Sequence, residues 1–121
     1  MNNQNPIEIY QAQDGTTQVE VRFEKDTVWL SQAQMANVFD TSSDNISLHL
    51  RNIFNESELD ENLTSEDFSV VRQEGKRQVT RKVKHYNLDA IISVGYRVKS
   101  KSATNFRIWA TARLKEYLTQ G

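Results

Sequence analysis

The chain of 121 residues contains no cysteine, which excludes disulfides, thiolate zinc sites and cysteine nucleophiles. It has no apolar run approaching the roughly 20 residues that a membrane-spanning helix requires, so no span is expected. The start, Met1-Asn2-Asn3-Gln4-Asn5-Pro6, has neither the basic opening nor the apolar stretch of a secretory signal, and a cytoplasmic location is expected. Its four glycines form no phosphate-binding loop. The two histidines, His49 and His85, have no partner at metal-ligand spacing. Nor do the acids of residues 56–66 resemble a nuclease's converging carboxylates; they read as a solvated loop. No catalytic residue, metal, cofactor or small-molecule ligand is therefore indicated, and an enzyme is not expected.

Basic residues are scarce in the first half. Residues 1–66 carry three bases against twelve acids, a balance of −9, whereas residues 67–121 carry twelve against four, a balance of +8. The overall charge of −1 hides this polarity. A basic half of this kind suits a polyanionic partner; mutual neutralisation of the two halves within the fold is the alternative. With 37% hydrophobic and 26% charged residues, the composition is that of a globular chain able to bury a core unaided.

Patterning predicts an α+β fold. Ile7–Tyr10 and Val19–Phe23 alternate around the turn signal Asp14-Gly15 and read as an N-terminal β-hairpin. Thr27–Leu30 follows as a short strand that delivers Trp29 or Leu30 to the core. At Ser31, a good N-cap, the period becomes helical: Ala33, Ala36 and Phe39 share a face beside Met35 and Val38. After Asp40-Thr41 the caps Ser42-Ser43-Asp44 open a second helix with Ile46, Leu50, Ile53 and Phe54. Residues 55–66 read as a loop with one helical turn. Phe68–Arg72 and Gln78–Tyr86 then form a basic hairpin around Gln73–Lys76. Asn87 caps a helix carrying Leu88, Ile91, Ile92 and Tyr96, and Ser102 caps a last one carrying Phe106, Trp109, Ala110, Leu114 and Leu118, ending near Gly121. One domain over 1–121 is the economical organisation: 1–30 hairpin and strand, 31–54 paired helices, 68–86 basic hairpin, 87–120 C-terminal helices.

The paired helices have helix-turn-helix spacing. Ala36 supplies the small residue where the helices pack, and Phe39, Ile46 and Leu50 flank the turn. Asp40 stands where many such units have glycine, and Thr41 where an apolar residue is usual. A helical hairpin used only for packing is the plainer alternative. If the second helix meets a major groove, its exposed side presents Ser42, Ser43, Ser47 and Arg51, with Asp44 as an awkward carboxylate. One arginine cannot supply the phosphate neutralisation that DNA affinity needs. The hairpin offers Arg72, Lys76, Arg77, Arg81, Lys82 and Lys84, in the chain order of a winged domain. Along its second strand Gln78, Thr80, Lys82 and Lys84 make a face polar throughout, opposite Val79, Arg81, Val83 and His85. A solvated hairpin without a partner would look similar. Lys99 and Lys101, with Arg97, Arg107 and Arg113 nearby, extend the basic set.

Several stretches resemble a known family: Trp29-Leu30-Ser31-Gln32, Leu50-Arg51-Asn52-Ile53-Phe54, Glu58-Leu59, Tyr86 through Val98, and Phe106-Arg107-Ile108-Trp109-Ala110-Thr111. Together they are similar to the bacterial RhuM-type virulence proteins over about residues 27–120. The last 35 residues or so also resemble the amino-terminal domain of Bro-type phage and viral antirepressors, more weakly. The RhuM resemblance implies a DNA-binding or regulatory role, as the N-terminal module of a longer protein, and carries no catalytic residue across. The expectation is a regulatory module that binds double-stranded DNA, with a homodimer as the common helix-turn-helix arrangement. The alternative is an antirepressor-like or antitoxin-like module that binds an acidic protein.

Overall fold

A computed structural model describes residues 6–12, 15 and 17–119. Its elements are β1 (Ile7–Gln11), β2 (Gln18–Glu24), β3 (Thr27–Ser31), α1 (Gln32–Phe39), α2 (Ser43–Asn55), α3 (Glu61–Thr64), β4 (Ser65–Glu74), β5 (Arg77–Asn87), α4 (Leu88–Val98) and α5 (Lys101–Thr119). The five strands form one antiparallel sheet in the order β1-β2-β3-β5-β4. The α+β class, the N-terminal hairpin and the C-terminal helices are as the patterning predicts. Asp14, half of the expected first turn, and Gly121, near the expected helix end, lie outside the described residues.

The main core lies between one face of the sheet and the helices. Alternation on β2 and β3 sends Val19, Val21, Phe23, Val28 and Leu30 to that face, where Tyr86 of β5 joins them. Against them pack Met35 and Phe39 of α1, Ile46, Leu50 and Ile53 of α2, Ile91 and Val94 of α4, and Phe106 and Ala110 of α5. β1 reverses what its sequence suggests. The pairs Tyr10↔Val19 and Glu8↔Val21 put Tyr10 and Glu8 on the helix side, leaving Ile9 53% exposed. Register explains this, because the stripe on β2 takes the core and one-residue alternation fixes its partner. Glu8 reaches Arg113 of α5 at 2.6 Å.

The local joints are specified by short-range chemistry. Ser31 makes a capping box with Gln34: its Oγ accepts the Gln34 N–H and its own N–H donates to Gln34 Oε1. α1 stops at Asp40, which is left-handed (φ 55°, ψ 52°). Ser42 caps α2 by accepting the Asn45 N–H, while Asn45 Nδ2 donates to Thr41 Oγ1. The three-residue turn is thus pinned on both sides. Asn87 caps α4 as expected. α5 is capped by Ser100, whose Oγ accepts the Ala103 N–H, two residues before Ser102: α4 ends on left-handed Lys99, so the chain re-enters a helix at once. Tyr96 is 73% exposed. Ala90, Val94 and Gly95 take the inner face of α4 instead.

A second, smaller cluster occupies the opposite face of the sheet. Trp29 meets Phe68 with ring centres 5.3 Å apart, and Phe68 meets His85 at 5.2 Å, both edge to face. The Arg22 guanidinium lies 4.6 Å from the Phe68 ring centre. Trp29 and Leu30 are therefore both buried, on opposite faces. Arg22 is on β2 and Phe68 on β4, three strand spacings away, or about 14 Å in a flat sheet. Their contact requires the sheet to curl around this face.

Candidate nucleic-acid interface

The basic hairpin is longer than its sequence signal and forms an arm. β4 and β5 pair over ten positions, from Ser65↔Tyr86 to Glu74↔Arg77, whereas β3 supports β5 only at residues 85–87. Eight pairs, from Asp67↔Lys84 outward, have no third strand. They make a two-stranded ribbon about 25 Å long. Gly75 (φ 63°) and Lys76 form its two-residue tip, where a positive φ costs glycine nothing.

A lone two-stranded ribbon is marginal in water, so its base must hold it. Phe68 and His85 anchor one face in the Trp29 cluster. Tyr86 stacks on Phe54 at the end of α2 on the other (6.2 Å, 24°). Lys25 pairs with Glu66, and Lys84 donates to Glu61 of α3 at 2.8 Å, which raises the Lys84 pKa. Burial pushes the His85 pKa down, and Arg22 adds to this, against a hydrogen bond to the Val83 carbonyl.

Register sorts the arm into two faces. Arg72, Glu74, Arg77, Val79 and Arg81 share one; Ser69, Val71, Gln73, Gln78, Thr80 and Lys82 share the other. The β5 residues divide as expected from alternation. The second face is not polar throughout, however, because β4 contributes Val71, which is 64% exposed. Arg81 makes two hydrogen bonds to Glu74; this holds the Glu74 carboxyl below its ordinary range and raises the Arg81 pKa. Among the described residues, Arg72, Lys76, Arg77 and Lys82 have no ion pair. All four are exposed.

α2 begins near the root of this arm. Gln32 is the next residue after Ser31, which pairs with His85 in the last β3–β5 rung. Its side-chain amide donates to both the carbonyl and the Oγ of Ser43. Ser43 and the capping Ser42 are therefore already engaged within the fold. Half-buried Ser47 and exposed Arg51 remain on the outer side of α2, with Leu48 exposed between them. Asp44 sits in the first turn of α2, where the helix dipole favours a carboxylate.

The other basic residues lie elsewhere. Lys99 and Lys101 line a cavity that also reaches Phe39, the last residue of α1, whereas the arm's root lies by the first. Arg97 is held by Glu56 and Glu58 at 2.8 and 2.9 Å, which also lowers the Glu58 pKa. Arg113 is held by Glu8 and Glu116. Arg22 and Lys25 are the residues sequence reasoning missed at the arm's base. Alternation on β2 turns Arg22 away from the core, but only the β3–β5 pairing brings it to Phe68. Among the described residues, no three His, Asp or Glu side chains gather as a metal site, and no helix is long and apolar enough to cross a membrane.

Residues 63–121, just under half of the chain, match the model of the Virulence protein RhuM family. This bears out the RhuM resemblance for the segment from the end of α3 through α5; the helix-turn-helix stretch lies outside the match. No curated protein and no solved structure matches the chain.

Proposed function

With residues 63–121 identified as RhuM-family sequence, we propose that the chain is a DNA-binding regulatory module in which the β4–β5 arm supplies the phosphate contacts and α2 reads or orients. The observation that carries this reading is the ribbon of about 25 Å bearing Arg72, Lys76, Arg77 and Lys82, all exposed and, among the described residues, outside any ion pair. A major groove is about 12 Å wide and admits a two-stranded ribbon as well as a helix. The Gln32–Ser43 tie sets the start of α2 at the arm's root, which favours a composite surface. Ser47 and Arg51 are its candidate residues on α2, Arg51 through a phosphate contact that orients the helix. Lys99 and Lys101 are separate from it.

Counterion release fixes the test. Five phosphate contacts, from the four arm cations and Arg51, give a slope of log affinity against log salt near −4.5. Between 50 and 200 mM salt, affinity for a duplex should then fall several hundredfold. Fluorescence anisotropy with a labelled 20-bp duplex measures this, and replacing the four arm cations by glutamine should flatten the slope to about −1. Failure of any duplex to bind at 50 mM salt would refute the proposal.

Exposed Val71, on the same face of the arm as Lys82, favours a second reading, an acidic protein partner, since an apolar contact has no use on a phosphate backbone. Val71→Ser should then weaken capture of that partner and leave DNA affinity unchanged. A homodimer belongs to the first reading. Exposed Ile9 on the edge strand β1, and Ile108 and Leu118 on α5, are where it would form. A monomer mass by light scattering across a range of concentrations would count against it.

A further inference from the structure

α4 and α5 turn on each other through Lys99 and Ser100 and touch where both carry small residues. A Cβ on Gly95 would lie 3.2 Å from the Ala103 Cβ. Beside this contact the helices leave a cavity of about 360 Å³, within the range of small-molecule sites. Its wall is apolar, formed by Leu88, Ile91, Ile92 and Phe106, with Phe39 at its inner end. Its mouth is basic: Lys99, Lys101 and Arg107 stand around it, all exposed. No acidic side chain among the described residues lines it. Among the described residues none of the three cations has an ion pair, in contrast to neighbouring Arg97 and Arg113. Lys101 also opens α5, a helix of 19 residues whose N-terminus adds positive potential at the same mouth.

An apolar cleft alone would suit many occupants. Here three uncompensated cations at the entrance select for negative charge, and the depth selects for an apolar body. We propose that this cavity binds a small organic anion of amphiphilic character, a carboxylate with an aliphatic or aromatic body, with the body between α4 and α5 and the carboxylate among Lys99, Lys101 and Arg107. Tyr96, Ser100 and Thr104, also part of the lining, add hydroxyl groups near that head. The site is independent of the proposed DNA surface and does not rest on it, because it lies at the opposite end of α1.

Decanoate and decanol, which share a chain and differ in charge, are the probes. Titration followed by amide chemical shifts should show saturable changes at Gly95, Ala103 and Thr104 with decanoate, and binding about tenfold weaker with decanol. Lys99→Gln, Lys101→Gln and Arg107→Gln together should remove that difference. Thr104→Trp, at an exposed rim position, should block both probes with the amide spectrum otherwise intact. Absence of saturable shifts with decanoate overturns the proposal. So does equal affinity for the two probes, or shifts confined to another surface.

Discussion

Replacing Phe68 by alanine tests whether the arm is held by a second core. Phe68 is 9% exposed, and its ring meets Trp29, His85 and the Arg22 guanidinium. Burying a phenylalanine removes on the order of 150 Å² from water, about 4 kcal/mol at 25 cal/mol per Å². The two edge-to-face pairs and the cation contact add about 0.5–1 kcal/mol each. Against this, the cluster lies on the face without helices, so water and neighbouring side chains can partly fill the vacated space. The expected loss is therefore about 3 kcal/mol, the low end of the range for such truncations. Urea unfolding followed by tryptophan fluorescence measures it, since Trp29 is in the cluster. Two further readouts separate anchoring from general damage. Amide exchange should accelerate in residues 66–85 more than in α1, α2 or β2, and the His85 pKa should rise toward 6.5 as its burial is relieved. A loss under about 1 kcal/mol with the His85 titration unchanged would refute the idea that Phe68 anchors the arm.

Three other outcomes follow from the same geometry. His85 has a folded pKa depressed below its ordinary 6.5, so the unfolded chain binds the proton first and stability should decline as pH falls below about 6.5; His85→Gln should weaken this dependence in melts between pH 5 and 8. Gly95→Ala gains about 1 kcal/mol of helix propensity but forces a 3.2 Å contact on Ala103. Overpacking costs about 1–3 kcal/mol, so a net loss near 1 kcal/mol is expected in urea unfolding, and a gain would show that α4 and α5 part easily. Asp40→Gly relieves a left-handed non-glycine residue between α1 and α2 and should raise stability by up to about 1 kcal/mol; a fall would mean that the Asp40 side chain holds the turn in a way its backbone does not reveal.

What could be read in advance was local. Ser31, Ser42 and Asn87 announce their helices because a cap acts within three residues, and the stripe Ile46, Leu50, Ile53 needs only a helical period to be recognised. The hairpin register followed from alternation, but its reach did not. β4 begins at Ser65 and extends to Glu74 because pairing with β5 recruits residues whose own pattern is weak. Tyr96 looked like core and is exposed, since small Gly95 lets α5 approach on the other side of α4. The curl that joins Arg22 to Phe68 depends on strand order, which alternation within single strands does not encode. Charge followed the same division. The basic character of the second half was plain, yet Arg81, Lys84, Arg97 and Arg113 are spoken for by acids, three of them by acids from the first half, and only the fold distinguishes them from Arg72, Lys76, Arg77 and Lys82.

The pairing of β3 with β5 governs how the chain can assemble. The β1–β2–β3 meander and the β4–β5 hairpin each form from neighbours in sequence, but the rungs Trp29↔Asn87, Leu30↔Tyr86 and Ser31↔His85 close a loop of 53 residues between Ser31 and His85. By length alone that closure costs about 3.5 kcal/mol, offset by the three rungs, the Phe68 cluster and the packing of α4 and α5 against β3 and α1. Joining these two preformed halves is the expected rate-limiting event of folding, and mutations at Leu30 or Tyr86 should slow folding more than mutations along either hairpin. The seam also makes the family-matched residues 63–121 dependent on what precedes them. Without β3, Tyr86 and the inner face of α4 keep only the two-stranded β4–β5 hairpin to close against, so that segment expressed alone is expected to lack a closed core.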